Sequence, residues 1–481
     1  MDNNGKLHVV MLPWLAMGHI IPFLELSKCL AQKGHRISLV STPRNIKRLP
    51  EIPQNISALI NLVGLPLPSV DNLPEDAEAT IDLPPNKVHY LKKAFDGLKN
   101  PFACFLEDSV PDWIIYDFSS YWLPPIATKL GVPCAFFSLF NAASVAFFGP
   151  PSELMGNNEE SWRSLEDLTY KPKWLPYNSI VFLRLYEMLR IMDTMKENVA
   201  DVEDAYRYGS AVNGSDVVLI RSCLEFEHFW LNFVEAEVLQ RPVIPVGLLP
   251  PSVQGRRDDE IGEWAEIKVW LDKQNKGSVV YIALGTEATL TQEEIDELAL
   301  GLELSNVPFF WVLRKPLSLE GDSYMLPVGF EDRTRNHGVV CMGWAPQVKI
   351  LAHSSVGGFL THCGWNSIIE ALSFGCALIL LPLLAEQGLN ARKLHGDKIG
   401  LEIPRDEQDG SFTRYSVAES LRTVMVEDKG NYFRRKAMEM KEIFGNKDLH
   451  DKYVNNIIQY LQDHKHVRNA ACSINITSIS S

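Results

Sequence analysis

The fold class follows from residues 6–40, which read KLHVVMLPWLAMGHIIPFLELSKCLAQKGHRISLV. The valine-rich run Leu7–Leu12 predicts a buried strand, and the break at Pro13–Gly18 predicts a loop. A helical spacing of leucines follows and ends at Gly34, and Ile37–Val40 predicts the next strand. Strands that alternate with helices in this way predict a parallel sheet that is covered by helices on both faces.

The alternation restarts after a proline-rich stretch. Residues 241–260, RPVIPVGLLPPSVQGRRDDE, contain four prolines and two glycines, which predicts an interdomain linker, with a long surface loop within one domain as the alternative. At 481 residues the chain also exceeds what one hydrophobic core usually supports. We therefore predict an α/β protein with two Rossmann-like, doubly wound domains that face each other across a cleft. The predicted segments are a first domain at 1–245, a linker at 246–260, a second domain at 261–448, and a helix within 449–481 that packs back on the first domain and is followed by a flexible tail.

Composition and patterning exclude several classes of partner. The chain carries 46 Lys and Arg against 60 Asp and Glu, a net charge of −14, which repels polyanions such as DNA. Its eight cysteines are scattered singly, without the spacing of a metal site or of a disulfide framework. The most apolar stretch, Cys134–Pro151, is too short and too polar to span a membrane. We expect a cytoplasmic monomer without a nucleic-acid partner.

The stretch Trp344–Gln387 contains the richest chemistry, WAPQVKILAHSSVGGFLTHCGWNSIIEALSFGCALILLPLLAEQ. Its segment THCGWNS lies between a predicted strand and a predicted helix, where the unpaired amides of a first helical turn can bind a diphosphate. The flat face of Trp344 suits a base, Glu370 suits the two hydroxyls of a ribose, and Glu386 with Gln387 suits the hydroxyls of a sugar. These residues predict a nucleotide-sugar site, and the alternative is a strand–helix unit of the core without a ligand.

This stretch resembles the forty-four-residue signature box of plant secondary-product UDP-glycosyltransferases, an inverting family with the GT-B fold. The matching parts are W-x-P-Q, H-x-x-x-G-G-F-L-T-H-C-G-W-N-S, the helix Glu and the closing acidic-Gln pair. The resemblance implies that Trp344 stacks on uracil, that Ala345 and Gln347 contact the base and ribose region, and that Glu370 binds the ribose. It also implies that His362, Gly364, Asn366 and Ser367 approach the phosphates with Thr286 nearby, and that Trp365, Glu386 and Gln387 contact the sugar.

Two departures from the family pattern concern the sugar. Leu381 precedes Pro382, where many relatives have Trp, and Glu386 stands where Asp is more common. The nucleotide is therefore better defined than the sugar. The family associates the closing Gln, here Gln387, with glucose more than with galactose.

A base for the acceptor hydroxyl is predicted in the first domain. His19 lies in the loop after the first strand, and an ordinary pKa of about 6.5 suits a base at neutral pH. Asp117 ends the apolar run WIIY, where it can orient the histidine. From the residues alone, a packed His and a capping Asp fit as well. The resemblance assigns catalysis to both, because G-H-x-x-P and P-D-W-x-x-Y-D match the family.

The resemblance implies one displacement at the anomeric carbon with inversion. No Asp-x-Asp occurs in the chain, and the helix end can stabilise the leaving diphosphate, so we expect no metal and no cofactor besides the UDP-sugar co-substrate. Aromatic residues within Phe136–Phe148, with Trp14 and Trp122, suit an aromatic or terpenoid acceptor, although packing in the core explains them equally well. Residues 13–50 resemble a branch that often extends a sugar on a flavonoid, saponin or diterpene, in some cases from UDP-rhamnose.

We therefore predict a UDP-dependent glycosyltransferase that moves a hexose, in the first place glucose, onto a hydroxyl of a small plant-type metabolite or its glycoside. The alternatives are a rhamnosyltransferase that extends an existing sugar and a non-catalytic binder of UDP-sugars. A nicotinamide-dependent oxidoreductase is disfavoured because the loop PWLAMGH has one glycine where G-x-G-x-x-G needs three.

Overall fold

The computed structural model describes residues 5–156, 172–176, 178–195, 202–250, 263–285, 290–314 and 326–465. The chain forms two compact units. The first unit comprises Met1–Arg163, Thr194–Leu249 and Asp448–Ser481, and the second comprises Ser164–Asp193 and Pro250–Lys447.

The first unit is built on a seven-stranded parallel sheet with the order β3-β2-β1-β4-β5-β6-β7. Its inner strands are short apolar runs that are buried on both faces, as parallel strands under helices must be. The strands are β1 (His8–Leu12), β2 (Arg36–Ser41), β3 (Ile60–Gly64), β4 (Trp113–Tyr116), β5 (Cys134–Ser138), β6 (Val217–Ile220) and β7 (Val243–Pro245).

The second unit contains a six-stranded parallel sheet with the order β10-β9-β8-β11-β12-β13. Its strands are β8 (Val279–Ala283), β9 (Phe309–Leu313), β10 (Gly338–Met342), β11 (Val356–Thr361), β12 (Ala377–Leu380) and β13 (Gly400–Glu402). The predicted fold class of two Rossmann-like α/β domains is therefore confirmed.

Helices connect the strands and cover the sheets. Numbered along the chain, the α-helices are α1 (Met17–Gln32), α2 (Pro43–Arg48), α3 (Gln54–Ser57), α4 (Val88–Asp96), α5 (Lys99–Ser109), α6 (Leu123–Leu130), α7 (Ala142–Phe148), α8 (Pro151–Leu154), α9 (Leu185–Met195), α10 (Asp204–Gly214), α11 (Leu224–Phe233), α12 (Glu263–Leu271), α13 (Gln292–Ser305), α14 (Phe330–Thr334), α15 (Gln347–Leu351), α16 (Trp365–Phe374), α17 (Gln387–Gly396), α18 (Arg414–Met425), α19 (Asn431–Phe444) and α20 (Lys447–His464). Thr291 and Glu294 form a capping box at the start of α13, where each side chain accepts a hydrogen bond from the backbone of the other.

The proline-rich stretch 241–260 contains β7, the last strand of the first sheet, within the range predicted for the first domain, because an edge strand tolerates Pro242 and Pro245. Residues 251–260 of that stretch lie outside the described residues. Residues 178–193 fall within the range predicted for the first domain, yet they belong to the second unit.

Helix α20 completes the core of the first unit. Its apolar face, which includes Val454, Ile457 and Leu461, is buried in the same cluster as strands β1 and β4. The indole Nε1 of Trp113 donates a hydrogen bond of 2.8 Å to the carbonyl oxygen of Leu461. Helix α20 is thus packed against β4, in the core cluster that also contains β1. The tail predicted after this helix lies outside the described residues.

Candidate active site

The strand order of each sheet determines where functional loops meet. In the first unit the order reverses between β1 and β4, and in the second unit it reverses between β8 and β11. At such a switch point the loops that follow the two strands diverge and leave a crevice at the carboxyl edge of the sheet, where ligands bind in open α/β proteins. His19 and Asp117 follow β1 and β4, and the THCGWNS segment follows β11.

His19 and Asp117 are in direct contact. The Nδ1 atom of His19 lies 2.6 Å from Oδ2 of Asp117, and the side chains are 20% and 3% exposed. The carboxylate also accepts hydrogen bonds from the backbone amides of Trp14 at 3.0 Å and Phe118 at 2.7 Å. Because a carboxylate only accepts, the proton of the neutral imidazole lies on Nδ1, and Nε2 is the atom that can take a proton.

Most of the aromatic residues suggested for the acceptor lie in the core. Trp14, Trp122 and Phe136 are 3%, 4% and 1% exposed. Phe140 and Phe148 are only partly buried, and their rings contact each other at 5.1 Å between centroids. Core packing therefore explains the first three side chains, and an acceptor surface fits Phe140 and Phe148 better.

The turn between β11 and α16 has an unusual backbone. Cys363 is fully buried and has a φ of 69°, a conformation that non-glycine residues rarely adopt. Its amide donates to the hydroxyl of Thr361 at 3.2 Å, and its carbonyl oxygen accepts from Nδ2 of Asn390 at 2.9 Å. These two contacts hold the turn in a strained conformation, which is a common feature of ligand-binding loops.

Helix α16 begins directly after this turn. Its N-cap residue, Gly364, has no side chain to cap the first turn, whereas the N-cap Thr291 of α13 caps its helix. Asn366 and Ser367 follow in the first turn and are partly exposed. An N-terminus of this kind carries a partial positive charge and suits the oxygens of a diphosphate.

The imidazole of His362 packs between two glycines. A Cβ atom at Gly285 would lie 2.8 Å from Nε2 of His362, and a Cβ at Gly364 would lie 2.5 Å from the same atom. Larger residues at either position would displace the ring. Burial lowers the pKa of His362 to about 4, so the imidazole is neutral at pH 7 and donates or accepts hydrogen bonds without a charge.

Gln347 and Glu370, which are predicted to contact the base and ribose, are hydrogen-bonded to each other. The exposed ring of Trp344 lies three positions before Gln347 in sequence. Trp344 is 64% exposed, which is unusual for a tryptophan, whereas Ala345 is buried. Nε2 of Gln347 donates to Glu370 at 2.6 Å and lies 3.2 Å from the hydroxyl of Ser367. The structure thus brings Gln347, Ser367 and Glu370 together.

The residues predicted for the sugar differ in their surroundings. The ring of Trp365 is 4% exposed and packs edge-on against Phe444, so its side chain is part of the core. Glu386 and Gln387 are partly exposed at the start of α17. Thr286 lies outside the described residues.

Asn390 is a residue of this site that the sequence analysis missed. It is fully buried in α17 and bonds to the backbone of Cys363. A signal was present, because an asparagine among the buried positions of a helix needs a polar partner. The partner lies 27 positions away, which no local pattern reveals.

Two kinds of feature are absent from the described ranges. Within them, no group of three or more His, Cys, Asp or Glu is arranged to bind a metal ion. In the same part of the chain, no helix combines the length and apolarity that a membrane span requires.

Known proteins resemble this chain along nearly its whole length. The family described as UDP-glucoronosyl and UDP-glucosyl transferase matches residues 253–474. UDP-glycosyltransferase 91C1 of Arabidopsis thaliana is 50% identical over 457 residues, which cover 95% of this chain and 96% of that protein. Soyasaponin III rhamnosyltransferase of Glycine max is 43% identical over 467 residues, which cover 96% and 97%.

A solved structure agrees with the fold. TcCGT1 in complex with UDP has a TM-score of 0.77 and 26% sequence identity, with 95% of this chain and 99% of that chain covered. UDP-glycosyltransferase 91C1 is identical to this chain at half of the aligned residues, and the alignment covers both units. The chain therefore belongs to the plant UDP-glycosyltransferase family, and it is a UDP-glycosyltransferase of the type that includes the 91 group.

Proposed function

We propose that this enzyme transfers a hexose, in the first place glucose, from its UDP-sugar to a hydroxyl of a small plant metabolite or of its glycoside, with inversion at the anomeric carbon. The observation that carries this proposal is the 2.6 Å contact between His19 and Asp117, because it directs Nε2 of His19 to act as the base. A packed histidine would not need a buried carboxylate that is itself bound to two backbone amides.

The proposed chemistry is one displacement. The acceptor hydroxyl gives its proton to Nε2 of His19 while its oxygen forms a bond to the anomeric carbon. The bond from that carbon to the diphosphate oxygen breaks, and the electron pair leaves with UDP. Asp117 stabilises the imidazolium that forms, and the proton is then lost to solvent.

For the donor, we assign the diphosphate to the first turn of α16 with His362 and Ser367, the ribose to Glu370, and the uracil to the exposed face of Trp344. The uncapped N-terminus of α16 supports this assignment because it can stabilise charge that develops on the leaving oxygen. Gln387 is assigned to the sugar. In this proposal no metal takes part and no cofactor is needed besides the UDP-sugar.

A second candidate donor is UDP-rhamnose. It is favoured by the 43% identity to a soyasaponin III rhamnosyltransferase, whose name also points to an acceptor that already carries a sugar. Both donors require the same base and the same nucleotide site, so they differ only in the sugar contacts. We also propose that the enzyme is cytoplasmic and monomeric.

The test is a panel of UDP-glucose, UDP-rhamnose, UDP-xylose and UDP-galactose against aglycones and glycosides, with the product mass as readout. The His19→Ala variant is measured beside the wild type, and UDP binding is measured by calorimetry. We expect transfer by the wild type, with turnover lost and UDP affinity retained in the variant. UDP binding without transfer from any UDP-sugar would favour the non-catalytic binder and reject the proposal.

A further inference from the structure

The short loop that precedes Gln387 is contacted by a segment from the middle of the chain. We call residues Leu381–Gln387, between β12 and α17, the sugar loop. The segment Leu183–Arg190, which includes the start of α9, belongs to the same unit although it is almost two hundred residues earlier in sequence. Two of its side chains, Tyr186 and Glu187, are buried there.

Glu187 contacts the helix that begins at the end of the sugar loop. Its carboxylate forms an ion pair with Arg392 of α17, and the two side chains are 7% and 6% exposed. Arg392 forms a second pair with Glu402. A Cβ atom at Gly388 would lie 2.5 Å from Oε2 of Glu187, so the carboxylate lies directly against the first turn of α17.

Burial disfavours the charge of this arginine, but two carboxylates compensate for it. Burial lowers the pKa of Arg392, and Glu187 and Glu402 outweigh that effect and raise the pKa above its ordinary value. Removal of one carboxylate would leave a buried charge partly uncompensated, which is strongly unfavourable. The position of α17 therefore depends on Glu187.

Tyr186 supports the other end of the sugar loop. Arg405 donates from its guanidinium to the carbonyl oxygen of Pro382 at 2.5 Å and to that of Gly410 at 2.6 Å. The ring of Tyr186 covers this guanidinium, with Cζ of Arg405 5.3 Å from the ring centroid. A Cβ at Gly410 would lie 2.4 Å from the same ring. Adjacent residues of one segment thus support both ends of the loop.

Between these ends, the loop orients the side chain of Gln387. Its Oε1 accepts hydrogen bonds from the backbone amides of Leu383 at 3.0 Å and Leu384 at 2.9 Å. Since both partners are donors, the oxygen must face the loop, and the amino group is the part of the side chain that remains to donate to a ligand. Ala385 adopts a φ of 51°, so the loop has a strained backbone that its surroundings must maintain.

We propose that Glu187 and Tyr186 are positioning residues that hold the sugar loop at its two ends and thereby determine which hexose the enzyme accepts. This inference rests on the proposed function, because it takes Gln387 as a contact of the donor sugar. A displacement of about 1 Å in a positioning element can strongly change the rate with one substrate, and selectivity between sugars depends on where one amino group points. The proposed nucleotide contacts lie on other elements of the unit, since Trp344 precedes α15 and Glu370 lies within α16.

The test compares Glu187→Gln and Tyr186→Leu with the wild type. The measured quantities are kcat and KM for the preferred UDP-sugar and for UDP-galactose, the dissociation constant of UDP alone, and Tm. We expect the ratio of kcat/KM between the two donors to fall by about tenfold in both variants, with the dissociation constant of UDP changed less than twofold. Glu297→Gln is the control, since it removes a different Arg–Glu pair of the same unit, with Arg414 of α18, and should leave the ratio unchanged.

A further variant tests the same contact without removing a carboxylate partner of Arg392. Gly388→Ala places a methyl group against the Glu187 carboxylate, so it should lower the same ratio while every charge is retained. If one variant fails to fold, the others carry the test. An unchanged donor ratio in the folded variants, or a loss of UDP affinity as large as the loss of rate, overturns the inference. A wild type that uses none of the UDP-sugars would instead overturn the proposed function.

Discussion

Asp117 accepts hydrogen bonds from His19 and from the backbone amide of Trp14 with the same oxygen, Oδ2. His19, which the sequence places in the loop after the first strand, lies in the first turn of α1. The loop after β1 and the start of α1 therefore supply both the histidine and part of the support for the carboxylate that orients it. Because Phe118 binds the other oxygen, the carboxylate has little freedom to rotate. The geometry of the pair is thus determined by the ends of two neighbouring strands.

Replacement of Asp117 tests this arrangement. In Asp117→Asn the group beside Nδ1 can present an amide hydrogen instead of an acceptor, so the required tautomer is disfavoured. We expect kcat to fall by about 10²- to 10⁴-fold, with UDP affinity retained. Asp112→Asn is a matched control, since Asp112 lies before β4 and accepts from the amide of His8 at 2.7 Å. Equal losses of kcat in both variants would contradict an orienting role of Asp117.

Trp344→Ala tests the stacking assignment. The ring is 64% exposed, so its removal should leave Tm nearly unchanged. Stacking of a base on an aromatic ring contributes about 1–3 kcal/mol, and we expect UDP affinity to weaken by the corresponding amount. Tyr415→Ala removes another ring of the same unit that is 72% exposed and should not alter UDP binding. Isothermal calorimetry that finds equal UDP affinity in both variants would exclude the assignment.

The partly buried imidazole of His362 predicts a pH dependence of stability. Its pKa is about 4 in the folded protein, below the ordinary value of 6.5. Above pH 6.5 both states are neutral, and as the pH falls the unfolded state takes up the proton first. The free energy of unfolding should therefore decrease from pH 6.5 to pH 4, by at most about 3 kcal/mol from this residue.

The comparison that isolates this effect is His362→Asn. Chemical denaturation of the ligand-free protein at pH 7, 5.5 and 4.5 should give a smaller decrease for the variant than for the wild type. Parallel pH profiles of the two proteins would show that the imidazole is not responsible.

Helix α20 should stabilise the first unit in spite of its position at the end of the chain. Ile457 is fully buried in the core of that unit, so Ile457→Ala should lower the free energy of unfolding by about 2–5 kcal/mol. Asn455→Ala, at an exposed position of the same helix, should change it little. Urea titration followed by the fluorescence of the tryptophans reports both values, and similar results for the two variants would disprove the packing role.

The regular parts of the fold were predictable because each depends on a few neighbouring residues. The run Trp113–Tyr116 is apolar, short and bounded by Asp112 and Asp117, and it forms a strand with those bounds. The short run Cys134–Ser138, which follows Pro133, also forms a strand. β13, with three residues, and β7, with two prolines nearby, are too short to produce a pattern of their own and depend on pairing with a neighbouring strand.

The candidate site was predictable to the extent that sequence motifs report it. Family motifs pointed to His19 and Asp117, and the structure supplies their contact across 98 positions. The supporting contacts had no such motif. Asn390 and Glu187 are polar residues whose partners lie 27 and 205 positions away, and only the folded chain brings these pairs together.

The packing of α20 against β1 and β4 also affects the order in which the chain can fold. On the ribosome, the strands of the first unit are synthesised before the second unit, but the helix that covers part of their core is translated after it. The six strands of the second unit are all available before α20. The core of the first unit therefore remains incomplete until α20 has been synthesised, and nascent chains that lack α20 should leave the tryptophan of β4 more exposed.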